Sequence, residues 1–272
     1  EFRSDGFGVG TDSAGLVNKD SETYVAWNWK ANGGTTTTND ASATSVGTID
    51  SVYQANTTAG FSIVTYTGTG SNATVAHGLG ATPDMVIYKI RDTGTNWAVW
   101  HKDLATPTTG LLELSTDGAE LNSASYWNST IPTSTVLSIG TYGGVNASSP
   151  FIAYCFAGIE GYSKFGSYIA NNSSSDNTFI HLGFRPAFVL VKSIALTQEF
   201  AIVDNVRDPF NDNASQVLYP NYNNAENTDG SNIINLVSNG FKITTTASFG
   251  YGTGTYIYMA FAEAPFKYAN AR

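Results

Sequence analysis

One phrase occurs three times in this chain: "YVAWNWK" from Tyr24, "FIAYCFA" from Phe151 and "YIYMAFA" from Tyr256. A phrase that returns in this way is the tail of a repeated unit, and a repeat constrains a fold more than any composition does. The rest of the unit recurs between the last two copies. "LGATPDMVIYK" (Leu79 to Lys89) aligns with "LGFRPAFVLVK" (Leu182 to Lys192), with Pro83 on Pro186 at an offset of 103, and the same offset carries "WAVWH" from Trp97 onto "FAIVD" from Phe200. "LELSTDGAE" then meets "LYPNYNNAE" at an offset of 106, so a few residues are inserted between matching strands, where loops tolerate them. "VLSIGT" (136–141) matches "GFKITT" (240–245) before the closing phrase returns.

The chain therefore divides into four parts. Residues 1–34 are the C-terminal part of an incomplete repeat, 35–58 a linker, 59–163 the first whole repeat and 164–272 the second. Residue 1, a Glu within the tail of a repeat, is expected to be a point inside, or trimmed from, a longer protein. The linker has few large apolar residues before Ile49 and Val52, so it is expected to drape over the first repeat or extend along an axis rather than form its own core.

Short runs rich in Val, Ile, Tyr and Thr, such as "FSIVTYTG", "DMVIYKI" and "AFVLVKSI", are separated by turn compositions such as "GTGSN" and "NTDGSN". No segment sustains helical apolar spacing. Six to eight short strands in roughly 105 residues predict an all-β fold of tandem β-sandwich, jelly-roll-like domains. A β-solenoid is the rival, but this period is that of a domain rather than a coil. Pro83 and Pro186 stand just ahead of apolar runs, as expected where a strand starts. In the recurring phrase, Val25, Trp27 and Trp29 lie on one side, as do Ile152, Tyr154 and Phe156, and Ile257, Met259 and Phe261. This larger side is expected to face the core, with the small residues opposite.

The chain carries 13 Lys and Arg against 22 Asp and Glu, a net charge of −9, which argues against a nucleic-acid partner. Its apolar runs are strand-length, far below the roughly 18–20 residues of a membrane-spanning helix, so no membrane insertion is expected. Cys155, the single cysteine, excludes an internal disulfide and is expected to be a buried apolar residue.

Catalytic chemistry finds little support. His77 and His181 lie almost equivalently ahead of the "LG…P" element, but no Cys, Asp or Glu recurs near them at ligand spacing, so they are expected to be structural. His101 is replaced by Asp204 in the other repeat. Among Asp103, Glu113, Asp117 and Glu120, and Asp204, Asp208, Asp212 and Glu226, only Glu120 and Glu226 coincide, and one shared acid is not an acid–base pair. "DNVRDPFNDN" (204–213) has oxygen donors without the ordered spacing of a calcium loop. No nucleophile elbow, phosphate loop or dinucleotide fingerprint is present. No catalytic residue, metal site or cofactor is expected, and the protein is not expected to be an enzyme.

Aromatic residues remain. Pyranose faces stack on rings while amides bind hydroxyls, so Tyr126 and Trp127 in "NSASYWNSTIP", and Tyr219 and Tyr222 among asparagines in "LYPNYNNAEN", are the candidate ligand-binding residues. Ordinary core is the alternative for each, and it is the expectation for Trp97.

The phrases "YVAWNWKANGG", "ANTTAGFSIVTYTGTG", "HGLGATPDMVIYK", "YCFAGIEGYSKFGSY", "GFRPAFVLVK" and "YIYMAFAEAPFKYANAR" resemble a repeat module of large virion proteins of marine bacteriophages, especially those infecting cyanobacteria. The resemblance covers essentially the whole chain and brings no catalytic motif. It implies a location in the virion, at the surface of the phage particle, in a tail fibre or other host-facing appendage that binds a host surface glycan or receptor. It also implies other virion proteins as neighbours and a homo-oligomer, with a trimer favoured. A capsid-decoration or purely structural role is the second reading, and a glycan depolymerase, whose acids would meet between chains, the third.

Overall fold

The computed structural model describes residues 2–3, 6–12, 14–173, 178–209, 211, 216–228, 234–244 and 254–264. Asp212 and the last stretch of the closing phrase, 265–272, lie outside the described residues. The chain forms two compact units, 1–30 and 31–272.

The first unit holds one small hairpin, β1 (Phe2–Arg3) and β2 (Gly6–Phe7). Downstream, Asp12 accepts hydrogen bonds from the amides of Ala14, Gly15 and Val17, and these amides hold its carboxyl below the usual carboxylate range. The first copy of the recurring phrase forms no strand. Val25, Trp27 and Trp29 are half-buried between exposed neighbours, so the period of two survives without the core position expected for them. A lone strand is not stable without further strands to join, and among the described residues of 1–30 the β1–β2 hairpin is the pairing formed.

In the second unit the segment expected as a linker enters the fold. It supplies β3 (Thr37–Asn39), the one-turn helix α1 (Ala41–Thr44), N-capped by Asp40, and β4 (Ser51–Asn56). β4 pairs residue by residue with β5 (Phe61–Thr67). Its turn closes at Gly60, whose φ of +65° and close approach to the Ala157 carbonyl suit only glycine. Next come β6 (Ala73–Ala76), β7 (Met85–Ile90), β8 (Ala98–His101), β9 (Gly110–Glu113), β10 (Leu121–Asn122), α2 (Ala124–Trp127), β11 (Val136–Ile139), α3 (Gly143–Asn146) and β12 (Pro150–Phe156). The main sheet runs β10-β9-β8-β7-β12-β5-β4-β3, and β11-β6 lies apart as a second, two-stranded sheet. Val64, Tyr88, Trp100, Ala153 and Cys155 of the large sheet share one core with Val75, Leu137 and Ile139 of the small one, a β-sandwich-like arrangement.

The chain continues through β13 (Ser163–Ile169), β14 (Thr178–His181), β15 (Pro186–Ser193), β16 (Ala201–Asp204), β17 (Ile234–Val237), β18 (Gly240–Ile243) and β19 (Thr255–Ala262). These form one sheet ordered β13-β19-β15-β16 and another ordered β14-β18-β17, enclosing a second core. The protein is all-β, and among its described residues no helix is long and apolar enough to cross a membrane.

The two halves have matching strand orders. β5-β12-β7-β8 reads as β13-β19-β15-β16, and the β6–β11 pair as β14–β18. Tyr66 stacks on Phe151 at 5.3 Å, and Tyr168 on Tyr256 at 5.1 Å.

The central strand is turned the opposite way from the sequence expectation. In β12, Phe151, Ala153 and Cys155 are fully buried in the core, while Ile152 and Tyr154 are half-buried on the other face. Small residues belong inside here because Tyr66, Tyr88, Trp100 and Trp127 already crowd that core. In β19 likewise Tyr256, Tyr258 and Ala260 line the core; Ile257, Met259 and Phe261 are buried too, on the opposite face. That face meets the first half: Phe156 lies 6.2 Å from Phe261 and 6.1 Å from Phe165, and Asp117 O accepts from Lys192 Nζ at 3.1 Å and from Gln198 N at 2.9 Å.

Candidate functional site

Strand register sorts the non-core face of the large sheet into transverse rows. One row is Asn56–Phe61–Phe156–Met85–His101, with Phe61, Phe156, Met85 and His101 buried. The next is Gln54–Ile63–Tyr154–Ile87–Val99, and a third is Thr38–Val52–Thr65–Ile152–Lys89. In these two rows every residue except Val99 is at least partly exposed.

Trp97 overhangs these open rows. Its ring stacks on Tyr154 with centroids 6.5 Å apart and planes 12° from parallel, and the residue is 36% exposed. The loop that carries it is tied down at several points. Lys89 Nζ donates to the carbonyls of Thr93 at 3.1 Å and Thr95 at 3.0 Å; Asn96 Nδ2 donates to Glu113 Oε2 at 2.8 Å, and Trp97 N donates to Ser115 Oγ at 3.2 Å. The ring is thus positioned before any ligand arrives, which lowers the ordering cost of binding. Toward the sheet end, Thr38, Thr65, Thr67, Asp50, Arg91 and Pro150 contribute to a cavity of about 280 Å³, close to the lower bound for small-ligand sites. An aromatic pair, hydroxyls, one guanidinium and one carboxylate on a single face can bind a polyhydroxylated ligand by stacking and hydrogen bonds together.

The residues singled out in the sequence fall elsewhere. Trp127 is 1% exposed: α2 turns it inward, its Nε1 donates to the Gly110 carbonyl at 2.6 Å, and its ring lies 5.1 Å from Tyr88. It is a core residue, and its indole N–H is satisfied without a ligand. Tyr126, next to it on the one-turn helix, packs half-buried on the same core and edge-on against Tyr142 at 4.9 Å. Tyr219 packs on the second core, with its hydroxyl 3.4 Å from Asn227 Nδ2, while Tyr222 is 53% exposed. Trp97, expected in the core, is the exposed tryptophan of the pair. Burial could not be told from flanking polarity, because the "NSAS" and "NST" that frame Tyr126 and Trp127 cap and close a helical turn.

Glu120 and Glu226, the two acids that coincide between the repeats, both hold loops. Glu120 accepts from the amides of Ala105 and Thr106 at 2.8 and 3.1 Å, closing the loop after β8. Glu226 does its work through Arg207, which donates to Glu226 Oε1 at 2.6 Å and to Asp204 Oδ2 at 2.7 Å. The guanidinium bridges the two carboxylates and offsets one of their two negative charges. Among the described residues no three His, Cys, Asp or Glu side chains converge as metal ligands. His77 is buried, with Nδ1 accepting from Leu79 N and Nε2 directed at the Thr133 carbonyl, and burial pushes its pKa down to about 4. His101 is buried and pushed down to about 3, mainly by desolvation, while its counterpart in strand order, Asp204, pairs with Arg207. His181 is exposed on β14. Cys155 is fully buried, and desolvation raises its thiol well above the usual range.

A family model described as "Domain of unknown function (DUF7483)" matches residues 1–265. No curated protein and no solved structure matches the chain.

Proposed function

We propose that this chain, which belongs to the DUF7483 family, is a bacteriophage virion protein, part of a tail fibre or other host-facing appendage, and binds a host surface glycan. One observation carries the binding reading: the stacked Trp97–Tyr154 pair on a half-open sheet face beside the Thr38, Thr65, Thr67 and Arg91 cavity. The matching strand orders support reading the halves as tandem β-sandwich copies from an internal duplication. Such hydroxyl-rich, weakly charged modules suit a particle surface, as the likeness to marine phage virion proteins implies.

Ile63, Ile87 and Ile152 on the same face favour a second reading, a capsid-decoration or other structural virion protein whose neighbour covers that face. A depolymerase gains no support from Asp204 and Glu226, which share Arg207.

The test is saturable binding of the purified protein to intact host cells and to their extracted surface polysaccharide. Binding that Trp97→Ala reduces at least tenfold with an unchanged circular dichroism spectrum, and that Tyr126→Ala and Tyr219→Ala/Tyr222→Ala leave intact, supports the reading. No binding by the wild type, or binding indifferent to Trp97→Ala, removes the sheet face as a glycan site and leaves the structural role.

A further inference from the structure

Among the described residues β13 has a strand on one side only. It pairs with β19 along its whole length, from Ser163↔Phe261 to Ile169↔Thr255, without a register shift, and stands first in the order β13-β19-β15-β16. Its counterpart in strand order, β5, is not an edge, because β4 pairs with it from Ser51↔Tyr66 to Asn56↔Phe61. The equivalent stacks of Tyr66 on Phe151 and Tyr168 on Tyr256 fix the correspondence. A strand position filled beside β5 is thus open beside β13 from Lys164 onward among the described residues, Ser163 being bridged to Ile159.

An open edge presents a row of backbone donors and acceptors, and proteins usually guard it with outward charges, proline or a bulge. β13 has none of these guards. Ser167 and Ile169 are its exposed residues, the latter at 65%, and its one charged side chain, Lys164, is engaged by the His181 carbonyl at 2.7 Å.

We propose that β13 docks antiparallel on β13 of a second copy of this chain, joining two four-stranded sheets into one. A second copy offers the same edge, and pairing it antiparallel about Ser167, the midpoint of the outward-facing residues that Ile159 leaves open, sets Ser167 opposite the partner's Ser167 and gives the isologous contact of a two-fold dimer. In that register Lys164, the one charged residue of "SKFGSYI", does not face its own copy, so no like charges lie opposite each other. β4 of the second copy is already committed to its own β5. The assembly is then even-numbered, in place of the trimer that the phage-fibre likeness favours, and the inference does not depend on glycan binding.

The mass of the wild-type protein in solution, followed from low to high micromolar concentration, is the first readout. The expected result is a dimer whose dissociation constant rises roughly tenfold or more in Ser167→Asp, because two like charges then face each other across the join. Under mild oxidation Ser167→Cys is expected to give a disulfide-linked dimer on a non-reducing gel, while the wild type, with only buried Cys155, does not. Ser167 is exposed, so circular dichroism of both variants is expected to match the wild type. A monomer or a trimer at all concentrations overturns the proposal. So does a dimer that Ser167→Asp leaves unchanged together with a Ser167→Cys variant that does not cross-link.

Discussion

Ile152 and Ile257 occupy the same place in β12 and β19, each at the centre of a sheet and facing away from the core, yet the first is half-open and the second is 1% exposed. The same holds along the rows: Lys89 is half-exposed and Lys192 buried, Trp97 overhangs solvent and Phe200 is sealed. The strands differ little in pattern. The cover differs, since the loop around Asp117 lies over Lys192 and Gln198, and Phe156 abuts Phe261 and Phe165. Lys192 shows the cost of that cover: burial pulls its pKa down to about 8, opposed by the nearby Asp117 and Glu199. Two halves with one strand order thus present one face for contact with each other and leave one face available.

The contrast can be broken most forcefully in the core. Trp127→Ala leaves a large cavity beside Tyr88 and strands the Gly110 carbonyl, so a loss of about 3–5 kcal/mol is expected, seen in chemical denaturation. Hydrogen exchange should place that loss in the first half and spare β13–β19.

Next comes the loop after β8 and its counterpart after β16. Arg207→Ala leaves Asp204 buried without its cation, at an expected cost of about 3 kcal/mol. Glu120→Ala removes an acceptor from two backbone amides and the Thr106 hydroxyl and leaves no buried charge behind, at about 1–2 kcal/mol. Equal losses in the two variants would refute the idea that equivalent glutamates close these loops by different means.

Acid sharpens the comparison further. His77 and His101 stay neutral when folded but take protons from below about pH 6.5 once unfolded. The unfolded state then binds more protons, so their contribution is whole above pH 6.5 and shrinks as pH falls toward 4 and 3. A loss of about 3 kcal/mol from each residue by pH 4 is expected, with protection falling first in the half that holds both residues. His77→Asn/His101→Asn should flatten the midpoint of unfolding between pH 7 and pH 4, even if its baseline is lower. An unchanged slope would assign the acid response to other groups.

The smallest effect is expected from Tyr222→Ala, whose exposed ring should cost less than about 0.5 kcal/mol in denaturation. A larger loss would mean that the ring packs in solution.

Much of this architecture was legible in the residues. Period-two runs bounded by Gly, Asn and Ser mark the strands. Legibility ended where a decision needed two elements at once. "YCF" alternates equally well whichever side is inside; only the bulk of Tyr88, Trp100 and Trp127 across the core makes Ala153 and Cys155 the inner pair. The segment 35–58 looked like a linker because Thr and Ser build exposed edge strands as readily as loops, and β5 is what turns "SVYQAN" into β4.

The sequence by itself determined the strand alternation and the duplicated order of phrases, since both rest on local spacing and residue chemistry. Only the tertiary structure decided which tryptophan reaches solvent, which face of each sheet is covered and which edge is left open. Those outcomes depend on which surface meets which, and burial is a property of the neighbour as much as of the residue.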